Sequence, residues 1–151
     1  MQFDFHWVIN NIKTTTIEVL PYSGSGTLPQ DQDENYLKTI TPYLNSVPYN
    51  VCLIRYTTNE KGTHKIKFSA TPMVNATEEF PYSLHITYNN GFPVELDVDP
   101  TAQENSKELS FLVVGSGETV ANIYLDAVLT SLDDMLIGEY SSTVTIERIT
   151  E

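Results

Sequence analysis

Cationic residues are scarce in this chain, and cysteine is nearly absent. Of 151 residues, 8 are Lys or Arg against 20 Asp or Glu, a formal net charge of −12. Such a surface repels phosphate backbones and anionic lipid, so nucleic-acid partners and electrostatic membrane attachment are not expected. The excess favours solubility and leaves a basic partner or a cation as the sharper alternative. The single cysteine, Cys52, excludes an intrachain disulfide. It lies in the apolar run Val51-Cys52-Leu53-Ile54, where a buried, inert thiol is expected. A chain without disulfides fits the cytoplasm as well as the exterior, so cysteine usage does not fix the compartment. No run approaches the ~20 apolar residues of a membrane helix, so membrane insertion is not expected. No basic-then-apolar leader opens the sequence, and Met1 suits a native start or a start left after a leader has been removed. Charged residues are also few, 19% against a usual share of about a quarter. Thr, Ser and Asn supply the polarity instead, a composition often met in extracellular β proteins.

What is present is alternation. Hydrophobic residues are 40% and aromatic residues 11% of the chain, with nine tyrosines. Those are globular values, and the length suits one domain over residues 1–151. The run Gly138-Glu139-Tyr140-Ser141-Ser142-Thr143-Val144-Thr145-Ile146-Glu147 places Tyr140, Ser142, Val144 and Ile146 on one face and polar residues on the other. That period of two belongs to a strand with one wet and one buried face. Residues 2–9 repeat it, with Phe3, Phe5, Trp7 and Ile9 on one face.

Further strands are expected over Thr14–Leu20, Val51–Thr58, Thr63–Ala70, Tyr82–Tyr88, Phe92–Val98, Leu109–Val114, Val120–Leu129 and Glu139–Ile149. Pro21 to Asn35 and Thr71 to Pro81 read as loops. Tyr36 to Leu44 is ambiguous, Pro42 arguing against a central strand. Asn89-Asn90-Gly91 predicts a type I′ hairpin turn. A helical turn is hinted at only in Thr130–Ile137, with Thr130 as N-cap. Nine or ten short strands with turn signals between them predict an all-β fold, an antiparallel sandwich.

Chemical signatures are sparse. His6, His64 and His85 are isolated, with no pair at zinc-site spacing. The acidic loop Asp31-Gln32-Asp33-Glu34-Asn35 offers oxygens to calcium but lacks the Gly and the distal Glu of an EF-hand. Glu95, Asp97 and Asp99 sit two apart on one outer strand face, with Lys65 and Lys67 forming a stripe on another. A solvated face that discourages edge aggregation explains them better than a glycosidase carboxylate pair, because a flat face has no pocket to shift a pKa. Gly115-Ser116-Gly117 lacks the spacing of a nucleophile elbow, and Asn75-Ala76-Thr77 is a three-residue sequon of the kind that arises by chance. No enzyme activity, metal or cofactor is expected. Tyr22, Tyr36, Tyr43 and Tyr49 lie in or beside loops, where exposed rings suit sugar stacking.

The segment Leu136 to Ile146, in which a Gly-x-Tyr opens an alternating Ser/Thr/Val strand, resembles the final strand of bacterial fimbrial subunits and spore-coat-U-like proteins. Val120-Ala121-Asn122-Ile123-Tyr124-Leu125 is similar to their penultimate strand. The resemblance covers about the last thirty residues, and other bacterial immunoglobulin-like domains end similarly. It implies an immunoglobulin-like or pilin-like β-sandwich lacking one strand, filled by a neighbour's N-terminal extension. Residues 2–9 would be that extension, with Phe3, Phe5, Trp7 and Ile9 as the inserted binding side chains. An ordinary first strand within the same domain is the simpler reading of the same residues. The missing disulfide and the large Trp7 depart from the family pattern. The function implied is a non-catalytic, secreted or cell-surface structural or adhesion subunit, passing through the periplasm and assembling with protein partners. A carbohydrate-binding module using exposed aromatics is the alternative.

Overall fold

A computed structural model describes residue 2 and residues 13–26, 47–115, 117–135 and 138–150. Ten strands lie among them: β1 (Thr15–Leu20), β2 (Pro48–Thr58), β3 (Gly62–Ala70), β4 (Met73–Asn75), β5 (Glu78–Phe80), β6 (Tyr82–Tyr88), β7 (Val94–Val98), β8 (Ser106–Val113), β9 (Thr119–Leu129) and β10 (Val144–Ile149). A five-stranded sheet has the order β1-β2-β9-β6-β7, a three-stranded sheet the order β10-β3-β8, and β4 and β5 form a small hairpin. All pairings are antiparallel. The all-β expectation holds.

Alternation in the sequence becomes alternation of burial. In β3, His64, Ile66, Phe68 and Ala70 are buried while Lys65, Lys67 and Ser69 are not. In β9 the buried set begins Ala121, Ile123, Leu125. The inner faces of both sheets contribute to one core, which joins Ile54, Tyr56, Leu84, Ile86, Ile123 and Leu125 to Ile66, Phe68, Leu109 and Phe111. Phe111 of the smaller sheet meets Tyr56 edge-on at 5.1 Å and stacks on Tyr88 at 4.9 Å, both from the larger sheet. Cys52 is buried in the core, as its apolar surroundings require.

Several local expectations are corrected. Residues 71–81 are not all loop: β4 and β5 turn at Ala76, whose φ is 54°. The Asn-Gly pair does not form a type I′ turn. The Gly91 N–H instead donates to the Tyr88 carbonyl at 2.9 Å, so the turn closes one residue early around Asn89, φ 50°. Phe92 is then 96% exposed and pairing resumes at Val94, after Pro93, which has no N–H to donate. The last strand begins at Val144 rather than Glu139; Ser141 makes only a bridge to Val74. The helical turn is a 3₁₀ turn over Leu132–Asp134, capped in position by Ser131 rather than Thr130 and without a side-chain bond.

Candidate binding edge

The residues expected to insert into a neighbour, Phe3, Phe5, Trp7 and Ile9, lie outside the described residues, as do His6, the loop 31–35, Tyr36 and Tyr43. β1 and β10 each end a sheet, and each has one strand neighbour among the described residues. Register fixes their inward faces. Thr15, Ile17 and Val19 of β1 lie opposite Thr58, Tyr56 and Ile54 of β2. Val144, Ile146 and Arg148 of β10 lie opposite Ala70, Phe68 and Ile66 of β3. The partners on β2 and β3 are buried, whereas Ile17, Val19, Val144 and Ile146 are only half-buried against the core. Apolar area left partly in water is stabilised by whatever covers it, at roughly 25 cal/mol per Å².

Polar side-chain links lie near both ends of β10. At one end Glu60, in the β2–β3 turn, is the hub. Its Oε2 accepts from Thr15 Oγ1 at 2.5 Å and from Arg148 Nη2 at 3.0 Å, joining β1 to β10. Thr15 also shares a 2.8 Å hydrogen bond with the buried Thr58. The Thr15 bond, then the Arg148 charge, hold the Glu60 carboxyl below the usual carboxylate range. Beneath lies His64, whose Nε2–H donates to the Glu60 carbonyl at 2.8 Å, leaving Nδ1 to accept from the Tyr56 hydroxyl at 2.5 Å. His64 is thus satisfied within the core rather than turned to a ligand. Burial pushes the Tyr56 hydroxyl pKa up. At the other end, the Tyr82 hydroxyl donates to Ser142 Oγ at 2.5 Å, and Ser142 donates to the Thr71 carbonyl at 2.6 Å.

The remaining candidates are dispersed. His85, Glu95 and Asp97 lie on the outer face of the five-stranded sheet, where His85 Nε2 is 3.5 Å from Glu95 Oε1 and Ser83 Oγ donates to Asp97 Oδ1 at 2.6 Å. Asp99 leaves that row: it accepts from Thr101 N–H and Oγ1, both at 2.8 Å, in the β7–β8 turn, and these bonds lower its pKa. Lys65 and Lys67 run down the other sheet, with Lys67 Nζ 2.7 Å from Glu104. Tyr22 packs on Tyr124 at 5.1 Å, its hydroxyl donating to Asp126 Oδ2 at 3.2 Å. Burial is the main cause raising the pKa of both Tyr22 and Asp126. Tyr49 is half-buried on β2. An open polar cleft of about 320 Å³ lies among Ser69, Thr71, Glu79, Glu104 and Thr143. Among the described residues, no group of three or more His, Cys, Asp or Glu is placed to hold a metal, and no helix is long and apolar enough to cross a membrane.

Sequence reasoning missed Arg148. Its signal was available: the face carrying Val144 and Ile146 continues to residue 148, which is Arg. No protein-family model and no curated protein matches this chain.

Proposed function

We propose that this protein is a non-catalytic, secreted or cell-surface bacterial subunit with a pilin-like, immunoglobulin-like sandwich, acting by assembly. Residues 2–9 of one copy add as a strand to the next copy, along the edge of β10 that has no neighbour among the described residues, inserting Phe3, Phe5, Trp7 and Ile9. One observation carries the reading: the last strand has a single neighbour among the described residues, and the apolar residues on its side of the core are half-covered. Strand addition would supply main-chain hydrogen bonds along β10 and apolar cover for Ile17, Val19, Val144 and Ile146. The test is the mass of the full chain against concentration, with uptake of a fluorophore-labelled peptide of residues 2–12. Growth with concentration, capped by the peptide, is expected. A monomer at every concentration that takes up no peptide would show that the side is filled by the same chain.

A glycan-binding role is a second reading, favoured by the Tyr22–Tyr124 ring pair beside Asp126 on an outer sheet face. Sugar-dependent change in tyrosine or Trp7 fluorescence would support it.

A further inference from the structure

The open side changes character along its length. Val144 and Ile146 are apolar, but the third inward position of β10 is Arg148, opposite the fully buried Ile66. An inward charge on an edge strand ordinarily discourages pairing. Here Glu60 neutralises it, Oε2 accepting from Arg148 Nη2 at 3.0 Å. Guanidinium N–H bonds lie in the plane of the group. The face of that plane carries no N–H, so a partner arriving beside β10 can lie flat against it without displacing the Glu60 pair.

Few side chains suit that position. An aliphatic one would desolvate the guanidinium without replacing its interactions. A carboxylate would stand beside Glu60 in a chain of net charge −12. An aromatic ring can stack on the plane and gain the cation–π attraction. Three of the four alternating residues in the 2–9 segment are Phe3, Phe5 and Trp7.

Resting on the strand-addition reading, we infer that Arg148 sets the register of the incoming strand by stacking on one of its terminal aromatic rings. Ile146 and Val144 take the next two inward side chains. A strand parallel to β10 puts Trp7 beside Arg148, and an antiparallel one puts Phe3 there. Either direction brings Phe5 beside Ile146, because inward residues recur every second position.

The test measures binding of labelled residue 2–12 peptides to the full-length chain. The peptides are the native one, Phe3→Leu and Trp7→Leu. The expected result is asymmetric, with one Leu peptide binding roughly tenfold more weakly and the other nearly unchanged. In full-length Arg148→Met that difference should vanish while binding persists, and Arg148→Lys should retain part of it. Equal losses for both peptides on the native chain, or an undiminished difference on Arg148→Met, would overturn the register role while leaving strand addition standing. No uptake of the native peptide would overturn strand addition, and the inference with it. The peptide comparison on the native chain needs no variant domain to fold.

Discussion

The two lateral sides of the core are built from the same kind of strand and finished differently. On the β7/β8 side, the sheets meet and Leu96, Val98, Leu109, Phe111 and Val113 are buried, leaving only Val94 half-covered among the inward apolar residues. On the β1/β10 side, none of Ile17, Val19, Val144 and Ile146 is buried to that degree. At one end of that side Glu60 joins β1 to β10, accepting from Thr15 and Arg148. Among the described residues one side is fully buried but for Val94, and the other leaves its apolar residues half-buried. The difference does not follow from residue type, since Ile and Val would bury as readily as Leu and Phe.

The contrast is open to attack by mutation. Phe111→Ala, on the complete side, removes ring contacts to Tyr56, His64 and Tyr88 and should cost about 3–5 kcal/mol in urea unfolding of the full chain. Ile146→Ala, on the open side, should cost about 1 kcal/mol or less at dilute concentration, because less buried surface is lost. Equal costs would erase the contrast. Tyr82→Phe deletes the hydroxyl that donates to Ser142 and should lower stability by about 1 kcal/mol in the same assay.

A smaller effect is read from pH. Glu60 has a lowered folded pKa, so its contribution is present above the unfolded carboxylate value and lost as pH falls through the folded one. Glu60→Gln should lower the thermal midpoint at neutral pH and flatten its decline in acid. Asp126 works in the opposite sense. Its folded pKa is raised, mainly by burial, so Asp126→Asn should raise the midpoint near neutrality and converge with the native chain in acid. Smallest of all, Phe92→Ser should change stability by less than about 0.5 kcal/mol, since the ring is almost wholly in water.

Local pattern made the interior of the fold legible. Tyr82–Tyr88 matches β6 residue for residue, and β3 and β9 differ from expectation by one residue at their starts. Legibility fails where the cause is not local. β2 begins at Pro48 because β9 offers a long partner and a bulge between Asn50 and Cys52 absorbs the irregular start. β4 and β5 are three residues each, too short to show a period, and an Ala with positive φ at their turn is no turn signal. The candidate edge was half-legible. Its apolar residues could be read from alternation, but their incomplete cover depends on which strands end each sheet, a long-range fact. Arg148 acquires meaning only when register sets it inward and Glu60 comes to meet it from another loop.

The most direct measurement is residue-resolved amide exchange across β10 and β8 in the full-length chain at low and high concentration. If β10 receives a strand from another copy, its outward amides exchange quickly when dilute and slow with concentration, while the inward amides of β8 do not change. Slow, concentration-independent exchange at the outward amides of β10 would contradict strand exchange and show that the same chain protects that edge.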